Sequence, residues 1–271
     1  NAIAMKIKKK YVTAIAAATI IITAIIIHCY TLGMTNTEVE RIPLSMAQVG
    51  DYLFIDENNN AYVVHKENFA AVDDTSKCVA VVFALETSYE DKKKGYKHGY
   101  AMALKNAGKD IPYGEPDTKA KLFRATEYFT GEDPKDTRPP NKAGKHPAAE
   151  AAAKYNGGKH PRNTSEWFLP AIGQWYDIIV NLGKVRTRYN VESGSVSWQE
   201  KSTFITENIN MSLEKAGKYA EPFNLSEETF QSSSEMNDGF AYVAYFTGNE
   251  RAYLIGSNKD SGNTVRPIIA F

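Results

Sequence analysis

An uncharged stretch near the start of the sequence constrains the chain most. The residues from Tyr11 to Ile27 carry no charge and consist mostly of Ala, Ile and Thr, and a lysine-rich segment at 6–10 precedes them. A basic segment followed by an apolar segment is typical of a secretory signal. A stretch of ~17 apolar residues is also the shortest that can span a bilayer as a helix. We therefore expect residues 1–28 to act as a signal peptide or membrane anchor, because the stretch has no polar stripe and a lysine cluster precedes it, a combination that disfavours a buried core helix.

The end of this stretch leaves two modes of anchoring open. Ile26-Ile27-His28-Cys29 resembles a lipoprotein cleavage box, in which the cysteine becomes the lipidated first residue. The residue before that cysteine is usually small, and His28 departs from the pattern. Lipidation of Cys29 and an uncleaved signal anchor are both compatible with the sequence, and either tethers the protein to the membrane. We expect an exported protein anchored at the outer-membrane surface, with residues 29–41 as a polar spacer.

Charge and cysteine content exclude several functional classes. Lysine plus arginine and aspartate plus glutamate number 32 each, so the formal net charge is zero. A nucleic-acid-binding protein normally carries a surplus of basic residues. We therefore expect no nucleic acid among the partners of this chain. The two cysteines, Cys29 and Cys78, are too few for a disulfide scaffold or a thiolate zinc site. We expect no metal and no cofactor.

Residues 42–271 show strand patterns at both ends and helix patterns in the middle. Strands are predicted at 49–55, 61–64, 78–85, 99–104, 240–246, 251–255 and 264–271, and helices at 148–155, 172–181 and 206–215. The polar segment 106–147 predicts a long surface excursion. This segregation predicts one α+β domain over residues 42–271, with the two ends of the domain meeting in one sheet.

Several segments of this domain occur in an order that resembles one family. They are Gly50-Asp51-Tyr52, Trp167-Phe168-Leu169-Pro170 with Ile172-Gly173-Gln174-Trp175, Ser232-Ser233-Ser234-Glu235, Ala241 to Phe246, and Val265 to Phe271. The family is that of the C-type-lectin-like domains in surface proteins of gut Bacteroidetes and in Fibrobacter major paralogous domains. The resemblance covers about residues 43–271. It implies a C-type-lectin-like fold, with a mixed or antiparallel sheet, central helices and long loops.

The same segments have a physical interpretation. We expect Trp167, Leu169 and Trp175 to be buried where a helix start packs on the sheet, with Pro170 fixing φ at the helix entry. Arg266 inside a closing strand should have a carboxylate or carbonyl partner, and Glu235 is one candidate. These roles maintain a fold and do not mark an active site.

The sequence predicts no catalytic residues. The formylglycine-generating enzyme, a relative of this fold, uses cysteines in its C-terminal half, and none follows Cys78. Glu221-Pro222-Phe223-Asn224 and Met236-Asn237-Asp238 depart from the calcium motifs of true C-type lectins, by one extra residue and by a missing tryptophan. His146 and His160 are expected to be exposed loop residues. A Ser-His-Asp site assembled in space keeps a hydrolase as a less favoured alternative.

The C-terminal segment carries the candidate ligand-binding residues. They are Tyr245, Asn249, Arg251, Tyr253 and Asn258, at a density that exceeds that of an ordinary strand pair. In C-type-lectin-like proteins this region displays the ligand-binding face, so the resemblance implies an adhesin that recognises a protein or glycan. A solvated hairpin is the alternative structure for this segment, and a structural subunit of a surface fibre or pilus is the alternative function.

Overall fold

The computed structural model describes residues 39–114, 146–185, 189–192 and 195–271. The apolar stretch 11–27, Cys29, most of the spacer and residues 115–145 lie outside these ranges. Among the described residues, no helix combines the length and apolarity that crossing a membrane requires. The strands are β1 (Tyr52–Ile55), β2 (Ala61–Val64), β3 (Cys78–Ala84), β4 (Tyr100–Ala103), β5 (Gly108–Ile111), β6 (Tyr189–Glu192), β7 (Ser195–Lys201), β8 (Glu228–Glu235), β9 (Phe240–Phe246), β10 (Arg251–Asn258), β11 (Asn263–Val265) and β12 (Ile268–Ala270). The helices are α1 (Tyr89–Lys93), α2 (Pro147–Ala153), α3 (Ile172–Asp177), which continues as a π-helical turn (Ile178–Leu182), and α4 (Ser202–Glu214).

The first sheet joins both ends of the domain. Its strand order is β12-β4-β3-β1-β2, with every neighbouring pair antiparallel. Strand β3 lies in the centre, as its continuous apolar sequence predicts, and six of its seven residues are buried. The C-terminal strand β12 pairs with β4, with Ile269 opposite Ala101. The expectation that the two ends meet in one sheet is confirmed.

The second sheet contains the C-terminal hairpin. Its order is β5-β11-β8-β9-β10-β7-β6, and it is mixed because β11 runs parallel to β8 while the other pairs are antiparallel. The predicted strand 264–271 is two strands that belong to different sheets. Pro267 lies between them and has no backbone N–H to continue a ladder. Together the two sheets and the four helices confirm an α+β fold.

Helix α3 packs on the inner face of the second sheet, and the turn that follows it contacts β3 of the first sheet. Its start is fixed by polar side chains, because the Gln174 Oε1 atom accepts a hydrogen bond from the Ala171 amide at 2.8 Å. The Ile172 amide donates to Ser234 Oγ of β8 at 3.0 Å. The serine-rich segment of β8 therefore holds the start of α3.

The buried residues agree with most of the motif-based expectations. Trp167, Leu169 and Trp175 are buried, as predicted. Arg266 is fully buried and donates from Nη1 to the Ala103 carbonyl at 3.2 Å and from Nη2 to the Glu221 carbonyl at 2.7 Å. The suggested pairing of Arg266 with Glu235 is wrong. Arg266 lies between the two sheets, one residue past the end of β11.

Two expectations about the segment 106–147 are wrong, one at each end of the segment. Strand β5 lies within it and pairs with β11, so its first part belongs to the sheet. His146 is buried rather than exposed, and its ring lies edge-on to the buried Tyr113 with ring centroids 5.8 Å apart. The cause is α2, which buries its alanine face next to β11 and β5 and brings His146 at its N-cap into the interior. His160, also predicted to be exposed, is half-buried, and its Nδ1 atom lies 2.9 Å from the Pro161 carbonyl oxygen.

Candidate functional site

The C-terminal hairpin brings three of the five predicted binding residues onto one face. Tyr245 of β9 lies directly opposite Tyr253 of β10, and their ring centroids are 6.5 Å apart. Arg251 lies two residues before Tyr253 on the same strand, and alternate residues of a strand point to the same side. Both tyrosines are half-buried and Arg251 is exposed. The structure therefore places these three side chains together on the outer face of the second sheet.

The tyrosine pair belongs to a row that crosses four strands. Thr229 of β8 lies opposite Tyr245, and Ser197 of β7 lies opposite Tyr253. At the usual spacing between strands this row, which we call the tyrosine row, extends about 14 Å. The next residue in each of β8, β9 and β10 points to the inner face and is buried beneath α3. These residues are Phe230, Phe246 and Leu254. The row is thus carried by a rigid, packed sheet.

The other two predicted residues are placed differently. Asn249 is exposed in the turn between β9 and β10, two residues before Arg251. Asn258 lies at the far end of β10, opposite Phe240, and its position in the strand alternation puts it on the opposite face from Tyr253. Asn258 is therefore not part of the surface that carries the tyrosine row. The binding roles of all five residues stay predictions.

A carboxylate fixes the orientation of Tyr245. The Tyr245 hydroxyl donates to Glu227 Oε1 at 2.8 Å. This hydrogen bond stabilises the protonated phenol and, with the negative charges of Glu227 and Glu250 nearby, raises the pKa of Tyr245. The loop before β8 is held against the hairpin turn at Gly248, whose φ is +71°, and a Cβ at this position would collide with the Ser226 carbonyl. Close backbone approach at this glycine therefore positions Glu227.

A polar groove opens beside the tyrosine row. It has a volume of about 290 Å³, and its walls come from three separate parts of the chain. The lining residues are Lys109, Asp110, Asn224, Glu227, Glu228, Thr229, Gly262, Asn263 and Thr264. Thr229 belongs to both the groove and the row, so the two form one continuous surface.

The sequence interpretation missed these groove residues. Lys109 and Asp110 fall in the segment predicted to be a surface excursion, and the Glu227-Glu228 pair carries no motif. The only available signal was the position of the two glutamates directly before the Thr229-Phe230 strand pattern.

Each charged group in the groove has a distinct environment. Glu228 is buried, and its carboxylate accepts hydrogen bonds from the Asn224 amide at 2.7 Å and from the Thr264 hydroxyl at 3.2 Å. Lys109 pairs with Glu221 at 2.9 Å, and this bond raises the pKa of the lysine. Asp110 and Glu227 are exposed. The groove thus presents three carboxylates and one ammonium group that is already paired.

Gly262 allows Asp110 to line the groove. A Cβ at Gly262 would collide with the Asp110 carboxylate, so this side chain lies directly over the glycine. Asp110 itself has a φ of +58°, a left-handed conformation that is uncommon for a residue with a side chain. The backbone of β5 is therefore bent at the point where the carboxylate enters the groove wall.

The two segments that depart from calcium motifs serve local roles. Glu221 pairs with Lys109 and accepts a hydrogen bond from the Asn106 amide at 3.1 Å. The Asn237 side chain accepts hydrogen bonds from the Gly239 and Phe240 amides, both at 3.0 Å, in the turn before β9. In the part of the chain that the structure describes, no cluster of three or more His, Cys, Asp or Glu side chains is arranged to hold a metal ion.

A histidine–aspartate pair occurs in the first sheet. His65 Nδ1 lies 2.7 Å from Asp51 Oδ2, and the same carboxylate accepts hydrogen bonds from the Gln48 and Lys66 amides at 2.8 and 3.0 Å. Asp51 is fully buried and joins the two ends of the β1–β2 hairpin. These hydrogen bonds connect the residues before β1 to the residues after β2, which is a structural role. The Cys78 thiol is also buried, which raises its pKa and makes it a poor nucleophile.

Comparison with known proteins gives one structural similarity. No family model and no curated protein matches the chain. The solved structure of a fimbrial protein from Bacteroides ovatus ATCC 8483 is similar over 83% of this chain, with 16% sequence identity and a TM-score of 0.48. The match covers 49% of that protein, so this chain spans about half of its length. The resemblance to C-type-lectin-like domains stays a prediction.

Proposed function

We propose that this chain is a binding protein that recognises a protein or glycan on the outer face of its second sheet. One observation carries the proposal: the tyrosine row and the polar groove form a continuous surface on a rigid sheet. Tyrosine gives a large contact area with little loss of conformational entropy, and its hydroxyl provides a polar end. A groove with a few fixed polar groups beside apolar rings is typical of a ligand site.

The side chains at this surface are suited to binding a ligand rather than to catalysing a reaction. Glu228 already accepts two hydrogen bonds from its neighbours, and the Tyr245 hydroxyl is engaged by Glu227. Fixed acceptors and rings of this kind orient a ligand, whereas a hydrolase would need a nucleophile within reach of a base. The proposed role is therefore that of an adhesin, and a fibre subunit is the alternative.

We expect alanine substitutions at Tyr253 of the tyrosine row and at Arg251 on the same face to weaken binding of the ligand. Tyr253→Ala and Arg251→Ala should each weaken binding by ~2 kcal/mol or more, because tyrosine and arginine anchors dominate most interfaces. The measurement is capture of the chain on an array of immobilised glycans and extracellular proteins, followed by affinity determination. Tyr89→Ala is the matched control, because Tyr89 is an exposed tyrosine on α1, outside the second sheet.

Unchanged affinity in both Tyr253→Ala and Arg251→Ala, at wild-type melting temperature, would place the ligand elsewhere. Binding should persist in EDTA, since Glu221-Pro222-Phe223-Asn224 and Met236-Asn237-Asp238 both depart from the calcium motifs. Concentration-dependent polymers without any captured ligand would instead support the fibre subunit.

The N-terminal segment supports export and anchoring as part of the same proposal. The lysine cluster and the uncharged stretch from Tyr11 to Ile27 predict that the chain leaves the cytoplasm and stays in a membrane fraction. Fractionation of cells that express the full chain tests this, and recovery in the soluble cytoplasmic fraction would contradict it. Incorporation of labelled fatty acid that is lost in Cys29→Ser would show lipidation, and persistence of membrane association without label would show an uncleaved anchor.

A further inference from the structure

Two cations lie side by side next to the tyrosine row. Lys201, the last residue of β7, pairs directly opposite Arg251, the first residue of β10, and both side chains are exposed. Residues directly opposite each other in an antiparallel pair point to the same side, so Lys201 shares the outer face with Arg251 and Tyr253. Among the described residues, no carboxylate forms an ion pair with either cation.

The position of Lys201 is unfavourable for folding in two independent ways. Like charges directly opposite each other on neighbouring strands repel. Lys201 is also the N-cap residue of α4, where its side chain makes no capping hydrogen bond and the positive end of the helix dipole repels a cation. The helix start is held instead by the Glu250 and Gly248 carbonyls of the hairpin turn. A residue that breaks local folding rules without a structural gain indicates a functional position.

The neighbouring carboxylates do not neutralise this pair. Glu200 precedes Lys201 in β7, where adjacent residues point to opposite faces, and its Oε2 atom is buried. Glu227 precedes β8, two strands away from Arg251, and accepts the hydrogen bond from the tyrosine row. Glu250 precedes Arg251 in the exposed turn, and within the described residues it pairs with neither cation. The surface around the two cations therefore carries an excess of positive charge.

We propose that Lys201 and Arg251 together bind a carboxylate of an acidic partner protein, while Tyr253 and Tyr245 contact the surface around that carboxylate. This inference rests on the proposed binding function and names the chemistry of its ligand. A guanidinium group donates two parallel hydrogen bonds to a carboxylate, and the adjacent ammonium group supplies further donors. Arginine flanked by tyrosines is typical of the anchor residues in protein interfaces, which favours a protein over a glycan.

The charge of the face also sets the orientation of the partner. Glu227 lies on the β8 side of the tyrosine row, whereas Lys201 and Arg251 lie on the β10 and β7 side. A carboxylate of the ligand is repelled at the first end and attracted at the second. Complementary charges of this kind fix the register of a complex and suppress the reversed orientation.

Replacing Lys201 by serine separates a binding role from a structural one. The substitution removes the like-charge contact and supplies an N-cap acceptor, so the melting temperature should rise by about 2–4 °C. The same variant should bind its ligand more weakly, because it loses one of the two cations. Lys92→Ser, at an exposed lysine of α1, is the control and should neither raise the melting temperature nor weaken binding.

Model compounds test the carboxylate site on the full-length chain in detergent micelles. The probes are N-acetyl-glutamate amide and its neutral counterpart N-acetyl-glutamine amide. Binding is followed by the NMR resonance of the Arg251 Nε–H group, which is assigned from its loss in Arg251→Lys. We expect a saturable shift with the glutamate probe, weakened by added salt, and no saturable shift with the glutamine probe. In Lys201→Ser the Kd for the glutamate probe should rise by about fivefold, and in Lys92→Ser it should stay unchanged.

Three results would overturn the inference. The first is equal binding of both probes, and the second is an unchanged Kd for the glutamate probe in Lys201→Ser. The third is a lower melting temperature in Lys201→Ser, which would give the lysine a structural role. Tighter binding of methyl glucuronide than of the glutamate probe would reject an acidic protein and favour an acidic glycan.

Failure of this inference and failure of the proposed function give different results. If the glutamate probe does not bind but Tyr253→Ala still weakens capture on the array, the carboxylate site is wrong and the binding face stands. If the glutamate probe binds through Lys201 while Tyr253→Ala keeps full array binding, the tyrosine row is not the binding face and the cation pair stands.

Discussion

Replacing Trp175 by alanine should destabilise the domain by ~3–5 kcal/mol, the range for emptying a large aromatic core site. Trp175 is fully buried at the start of α3, with its ring centroid 4.9 Å from that of Phe230 and 6.3 Å from that of Phe223. Its Nε1 atom donates to the Gln231 carbonyl of β8 at 3.1 Å. The substitution therefore removes both the packing and a hydrogen bond that join α3 to the second sheet.

Urea unfolding of the domain at constant m-value gives the change in free energy. Trp175→Phe separates the two contributions, because it retains most of the ring and leaves the Gln231 carbonyl without this donor. Its cost should be smaller, about 1–3 kcal/mol. Glu207→Ala on the exposed side of α4 is the control and should change the stability by less than about 0.5 kcal/mol. A loss below about 1 kcal/mol in Trp175→Ala would show that the helix start does not pack as described.

The elements that could be predicted from sequence are those whose pattern reflects a single burial rule. Strand β3 is apolar along its whole length because both of its faces are covered, and this identified it as a central strand. The start of α4 was predicted four residues late, although Ile205 of its first turn is buried on the same face as Ile209 and Leu213. Its actual start is held by tertiary contacts, in which the Ser202 and Thr203 amides donate to the Glu250 and Gly248 carbonyls.

The face of the hairpin was predictable in part. Strand alternation correctly groups Arg251 with Tyr253, but the partner of Tyr253 on the neighbouring strand depends on the register that the connecting turn sets. The four residues from Thr247 to Glu250 set this register and bring Tyr245 opposite Tyr253. The same alternation separates Asn258 from the group, since its position in β10 has the opposite parity. Density of polar residues alone does not distinguish the two faces of a strand.

The groove could not be predicted because no local spacing encodes it. Its walls come from β5, from the loop and strand around Glu227, and from the segment at Gly262, which meet only after β11 has paired with both β5 and β8. A buried ion pair between Glu235 and Lys259 was missed for a related reason. Charged residues are expected at the surface, and Glu235 and Lys259 are 24 positions apart.

Removing one member of this buried ion pair should have an effect as large as that of losing Trp175. Lys259 Nζ lies 2.7 Å from Glu235 Oε1, and the two side chains are 1% and 3% exposed. In Glu235→Ala the ammonium group loses this carboxylate in a site that water does not reach. Breaking a buried pair on one side costs about 3–5 kcal/mol. The free energy of unfolding in urea should fall by that amount.

The matched control is a pair of the same charge type at the surface. Glu90 and Lys93 on α1 are 3.6 Å apart, with side chains 40% and 57% exposed, and Glu90→Ala should change the stability by no more than about 0.5 kcal/mol. The double variant Glu235→Leu and Lys259→Met should recover most of the loss, because it removes both charges and fills the volume with apolar groups. A double variant as unstable as Glu235→Ala would show that packing or hydrogen bonding around the pair, rather than an isolated buried charge, causes the loss. A small effect of Glu235→Ala alone would mean that the Lys259 ammonium does not depend on Glu235 for its charge compensation.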